Sequence, residues 1–257
     1  MVITFSTLFQ LLGDFVWNLL RVGAFVMVVP VFGNRLISTR IRVAMTAAVA
    51  LAITPVARIG LDLAAVDVGV ATDLMVHMLF AAGLGFAATL FFQLYVIAGQ
   101  FIGMQMGLGF AALVDPGNGL QVTVWSQFFL MLVTLSFLAV DGHLVLLEIL
   151  VRGFSLFPIG AERSLADFSY AVAQLGGWMF IGGVLVAIPA VVSLLIVNLM
   201  FGVMNRSAPQ LNVFALGFPF SLVFGIVVIW LLLFNWSDQF LLLVDELFVH
   251  LAELQGI

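Results

Sequence analysis

LMVHMLFAAGLGFAATLFFQLYVIAGQFIGMQMGLGFAALV, residues 74–114, contains no Asp, Glu, Lys or Arg. At about 1.5 Å per residue, one unbroken helix of that length would reach roughly 60 Å, about twice the ~30 Å hydrocarbon core of a bilayer. The stretch lacks the apolar/polar alternation of a membrane barrel strand. Backbone groups in lipid then leave only helices. The stretch therefore reads as helix with a break in it. Gly99, Gly103, Gly107 and Gly109, followed by Asp115-Pro116-Gly117-Asn118-Gly119, are the residues able to make that break. The pattern predicts a helix over 74–102, an irregular Gly/Met-rich segment to 119, and a new helix over 120–140.

Working outward, residues 168–205 and 207–237 are equally free of charge. Across the chain 64% of residues are hydrophobic and 8% charged, where a soluble domain is about one quarter charged. Lipid or other protein must face much of the surface, and the chain reads as an all-α integral membrane protein. Further helices are expected over 5–31, ending near Pro30, and over 43–57, stopping near Pro55. Others follow at 143–157, 170–200 and 213–235, with a C-terminal amphipathic helix over 238–254. That makes about six hydropathy-defined spans in a single domain, 1–257, with no internal repeat. Phe240, Leu241, Val244, Leu247, Phe248, Leu251 and Leu254 form the apolar stripe of the last helix, beside Asp238, Asp245, Glu246 and Glu253. An acidic helix of this kind favours docking on protein over skimming a membrane surface.

Composition also narrows the function. There is no cysteine, so thiol chemistry and disulfides are out, and a net charge of −5 gives no surface for nucleic acid. The N-terminal stretch lacks the basic region of a cleavable signal. No H-E-x-x-H, G-x-S-x-G or Walker sequence is present, and His77, His143 and His250 have no metal-ligand spacing. Neither an enzyme nor a cofactor is expected. Arg35, Arg40 and Arg42 put the 33–42 loop on the cytoplasmic side, and Asp62, Asp67 and Asp73 put the next connection outside. Arg206 then lies inside, whereas Arg152 and Arg163 fall outside.

Two constellations stand out. Gln10, Asp14, Asn18 and Arg21 recur at i, i+4, i+8 and i+11, on one face of the first helix. A charge at the bilayer centre costs about 2.5–3.5 kcal/mol on insertion scales. The stripe therefore marks an interfacial helix end, a buried subunit contact or a wet transport path. Gly99, Gly103, Gly107 and Ala111 form a small-xxx-small ridge suited to close helix packing. Met104, Met106, Leu108 and Phe110 alternate with the glycines, placing flexible bulky side chains on a deformable backbone. Such a segment could obstruct a channel and yield to a threading chain.

NLMFGVMNRSAPQLNVFALGFP, residues 198–219, closely resembles the signature of the FliR family of flagellar export-apparatus proteins, which has a homologue in virulence-associated type III secretion. Three further stretches agree in order: 21–55 with Pro30 and Arg42, 99–119 ending in Asp115-Pro116, and Gly142-His143 followed by Pro158-Ile159-Gly160. The resemblance implies a structural subunit of bent helical hairpins in the bacterial inner membrane, at the flagellar basal body. It would join FliP and FliQ in a helical export gate, with FlhB at the cytoplasmic entrance, that passes unfolded flagellar proteins and is required for flagellum assembly. The resemblance makes Met104, Met106, Gly107, Phe110 and Asp115 pore-plug candidates. Arg206, Pro209, Gln210 and Asn212 would shape a turn at a subunit boundary; the polar stripe (Asp14, Asn18, Arg21) and the ridge glycines Gly99 and Gly103 are also expected at a subunit interface. Membrane lipid, or sister subunits in its place, would cover the remaining apolar surface. A small-solute or ion transporter is the alternative reading; that class often shows an intramembrane acid–base site and repeats at corresponding positions in two halves, and the sequence shows neither.

Overall fold

A computed structural model describes residues 5–33, 37–58, 67–109, 123–156, 164–207 and 213–256. Every regular element among them is helical: α1 (Phe5–Val28), α2 (Pro30–Gly33), α3 (Thr39–Ile53), α4 (Val68–Gln105), α5 (Val124–Ala139), α6 (Gly142–Leu156), α7 (Leu165–Ser207), α8 (Val213–Leu232) and α9 (Trp236–Gln255). A 3-10 turn, Leu233–Asn235, joins the last two.

Short polar side chains start the helices by accepting the N–H groups that a first turn leaves unpaired. Asp67 Oδ1 accepts from Val70 N at 2.9 Å, Ser164 Oγ from Asp167 N at 3.1 Å and Thr123 Oγ1 from Ser126 N at 3.3 Å. Asp141 turns the chain between α5 and α6 with φ 56°, a left-handed conformation that Asp tolerates better than most side chains. Its carbonyl then accepts from Leu144 N at 2.9 Å.

Four described helical stretches are long and apolar enough to cross a membrane, or five if the bent α5–α6 pair counts as one span. That is fewer than the six expected. With 15 residues, α3 reaches only about 22 Å, and α5 with 16 about 24 Å, both short of a ~30 Å core. The 217–255 stretch also runs through the 3-10 turn as one candidate span instead of ending at 235. The long helices exceed their expected limits, since α4 continues three residues past Ile102 and α7 runs seven past Met200, through Pro189.

The described chain forms two compact units. The first gathers residues 1–90, 138–176 and 246–257, the second 91–137 and 177–245. In the first, α1 packs on α3 and α4. Thr89 Oγ1 donates to Val28 O at 3.0 Å, partnering a carbonyl exposed by the end of α1, and Phe80 meets Phe168 edge-on at 4.4 Å. The second has an aromatic core. Phe91 lies 5.5 Å from Tyr95, 5.8 Å from Phe137 and 6.1 Å from Phe240. Trp236 packs on Tyr95 at 5.1 Å, and its Nε1 donates to Ser136 Oγ at 3.0 Å. The α9 stripe is taken up inside the chain, with Leu243 buried in place of the exposed Leu241 and Gln255 Nε2 donating to Ile149 O at 2.8 Å.

Candidate functional site

The polar stripe of α1 is buried in the first unit. Asp14, Asn18 and Arg21 are 3%, 0% and 2% exposed, whereas Gln10, nearer the helix start, is exposed. Asn18 Nδ2 donates to Thr54 Oγ1 and to Ala57 O, both at 3.2 Å, and so ties α1 to the end of α3. Arg21 carries three contacts. Its Nη1 lies 3.1 Å from His77 Nδ1, its Nη2 donates to Gly153 O at 2.6 Å, and its guanidinium sits 4.1 Å over the Phe154 ring. Because Arg has no acceptor, Nδ1 of His77 must accept, which fixes the neutral tautomer with its proton on Nε2. Gly153 belongs to the last turn of α6, where orphan carbonyls gather and a cation is favoured. Trp17 closes the site, edge-on to His77 at 5.5 Å. This arrangement locks three helices together around one buried cation.

The second unit holds the other constellation. Gly99 and Gly103 face α5 of the same chain. A Cβ on Gly99 would lie 2.6 Å from Ser126 Cα, Ser126 N and Trp125 O, and one on Gly103 would lie 2.6 Å from Thr123 Oγ1. That approach lets Ser126 Oγ donate to Val96 O at 2.9 Å and Thr123 N to Gln100 Oε1 at 2.9 Å. These two glycines therefore act as a packing groove inside a continuous helix. The break comes later, at Gly107, whose φ of 86° suits a residue without Cβ. Met106 is 1% exposed and Met104 is 56% exposed, so the pair points in opposite senses at the helix end.

Beside that end lies a cavity of about 370 Å³, lined by Met104, Gly107, Asn198, Asn205, Phe218 and Ser221 among others. The glycine-rich helix end and residues 198–205 and 217–218 of the signature stretch thus line one site. Asn198 Nδ2 donates to Gln105 O at 3.3 Å, and Ser221 Oγ donates to Asn198 Oδ1 at 3.1 Å. Arg206 is exposed in the last turn of α7. Phe110, Asp115, Pro209, Gln210 and Asn212 lie outside the described residues.

Sequence reading missed His77, Gly153, Asn198 and Ser221. Asn198, Gly202 and Asn205 recur at i, i+4 and i+7, and that polar or small face in a charge-free helix is the signal that could have exposed the cavity wall. His77 stands alone in an apolar run, where a buried ring needs a partner, but its partner is 56 residues away.

Comparison with known proteins bears on the whole of this architecture. The sequence profile described as "Bacterial export proteins, family 1" matches residues 12–247. The chain is 35% identical over 221 residues to the flagellar biosynthetic protein FliR of Pectobacterium carotovorum subsp. carotovorum, covering 86% of this chain and 84% of that one. It is 36% identical over 220 residues to FliR of Escherichia coli K12, covering 84% and 82%. FliR of Bacillus subtilis 168 is 27% identical over 235 residues, with 87% of each chain covered.

Proposed function

The chain belongs to family 1 of the bacterial export proteins, and from that premise we propose that it is a structural subunit of the flagellar type III export gate. In this reading it joins FliP and FliQ in a helical channel, with FlhB at the cytoplasmic entrance. Unfolded flagellar proteins pass through that channel across the inner membrane at the basal body. The subunit acts as one membrane-embedded domain and performs no catalysis. The family's description as bacterial export proteins and the relatives' names as flagellar biosynthetic proteins together support a role in flagellar export.

The observation that carries the proposal is the apolar surface the chain leaves uncovered. On α7 the exposed large apolar side chains begin at Tyr170 and end at Met204, about 50 Å apart along the helix. A ~30 Å core crossed at a tilt of 40° covers only about 39 Å of helix. In the 217–255 stretch the chain itself buries only 22% of the most apolar window. Exposed apolar surface of this extent supports cover by sister subunits in addition to lipid. Met104, Met106 and Gly107, with Phe110 and Asp115, are assigned to the pore plug. Arg206, with Pro209, Gln210 and Asn212, is assigned to a turn at a subunit boundary, whereas Asn18 and Arg21, expected at such a boundary too, bond to helices of their own chain.

Deleting the gene should abolish secretion of flagellar proteins into the medium, and supplying the chain should restore it. Deleting only Gly107–Phe110 should leave the gate assembled but leaky to ions. Normal secretion without the chain would overturn the export role, and an ion-tight deletion variant would overturn the plug.

A further inference from the structure

We propose that Asn198 is a latch: its side chain holds the C-terminal end of α4, with Ser221 and Gly225 as its supports. The inference deepens the plug reading and rests on the assignment of Met104, Met106 and Gly107 to that plug.

A helix leaves its last four carbonyls without intrahelical partners. In α4 these belong to Ile102, Gly103, Met104 and Gln105. The chain that follows satisfies three of them. Met106 N donates to Ile102 O, Gly107 N to Met104 O and Leu108 N to Gly103 O, each at 3.0 Å. With Gly107 in the left-handed conformation, this is a complete Schellman motif. The fourth carbonyl, Gln105 O, receives Asn198 Nδ2 from α7 at 3.3 Å. A carbonyl can only accept, so the amide group of Asn198 must face it; the Oδ1 on the other side receives the Ser221 hydroxyl at 3.1 Å. The orientation of Asn198 is therefore set from both ends.

Gly225 adds a mechanical element. A Cβ there would lie 2.6–2.8 Å from Cε, Cγ and Sδ of Met106, so the missing side chain is the seat that Met106 occupies. One methionine is held in while Met104 remains exposed beside the cavity. Side-chain hydrogen bonds between membrane helices shift an equilibrium by roughly three- to twentyfold. A latch of that strength keeps a helix end in place at rest and releases it under the push of a threading chain. A buried ion pair in its position would be harder to release.

The test uses the gate assembled with FliP and FliQ. Asn198→Ala and the isosteric Asn198→Asp, the latter measured at a pH where its carboxyl is ionised, both remove the donor, and the second also sets a carboxylate against Gln105 O. Each should speed amide exchange at Met106, Gly107 and Leu108 by about three- to twentyfold and raise ion leak by a similar factor, with complex yield unchanged. Gly225→Ala should speed the same amides by dislodging Met106, with Asn198 intact. If Asn198→Ala lowers the yield, the isosteric Asp variant carries the test. Unchanged exchange in the assembled Asp variant overturns the latch. Faster exchange without leak, in a gate that the Gly107–Phe110 deletion does open, overturns its control of the plug. An ion-tight deletion removes the plug reading instead, and the exchange rates then decide alone whether Asn198 holds the helix end.

Discussion

Replacing Gly99 by alanine tests how tightly α4 and α5 are joined. The added Cβ would lie 2.6 Å from three atoms of Trp125 and Ser126, all of them main-chain. Ordinary contact begins at 3.4 Å, so α5 must retreat by about 0.8 Å, a shift no rotamer change can avoid. Overpacking of this kind costs about 1–3 kcal/mol. The retreat also stretches three interhelical bonds: Ser126 Oγ to Val96 O at 2.9 Å, Thr123 N to Gln100 Oε1 at 2.9 Å and Thr123 Oγ1 to Gly99 O at 3.1 Å. At about 0.6 kcal/mol each, their loss adds roughly 2 kcal/mol. Alanine returns about 1 kcal/mol through its better helix propensity. The net cost is roughly 2–4 kcal/mol, which for a chain of this size lowers the thermal midpoint by about 5–15 °C. Gly177→Ala on α7 is the control, because a Cβ there meets nothing within 4 Å. It should hold or slightly raise the midpoint. The assay is thermal unfolding of the detergent-solubilised gate; a Gly99→Ala midpoint equal to that of Gly177→Ala would refute the reasoning.

Three other outcomes follow from the geometry. Arg21→Leu should sharply reduce the yield of folded protein, and adding His77→Phe should recover part of it, with a coupling of about 1–3 kcal/mol; strictly additive losses would mean the two side chains do not depend on each other. Arg21→Lys should behave more like Leu than like Arg, since an ammonium cannot reach His77 and Gly153 O in the forked geometry while lying over Phe154; wild-type stability in that variant would contradict this. Trp236→Phe, which loses the bond to Ser136 and part of the ring contact with Tyr95, should cost roughly 1–2 kcal/mol, and Trp236→Ala should cost more in the same unfolding assay.

Much of this fold is legible in the residues because membrane helices must satisfy their own backbones. The charge-free runs locate the long helices, and Pro55 marks the end of α3, where Thr54 Oγ1 bonds back to Ala50 O at 2.7 Å. The Asp14–Arg21 stripe reads as a face withdrawn from lipid, and it is buried. What the residues leave open is long-range pairing. Arg21 finds its partners 56 and 132 positions away, and no local pattern points to Gly153. Glycine is ambiguous for a related reason. At Gly99 and Gly103 it admits a neighbouring helix, whereas at Gly107 it ends its own, and only the backbone angle tells these apart. Pro189 likewise fails to stop α7, and its own carbonyl takes the Ser193 hydroxyl at 2.7 Å.

The central claim is that these apolar helices outrun what the chain and a bilayer can cover between them. Producing the chain alone and together with FliP and FliQ, then measuring mass by light scattering after gel filtration, addresses it directly. Obligate cover by sister subunits predicts aggregation or proteolysis of the lone chain and one stoichiometric complex from the co-expressed set. A monodisperse lone chain that takes up neither FliP nor FliQ would contradict it.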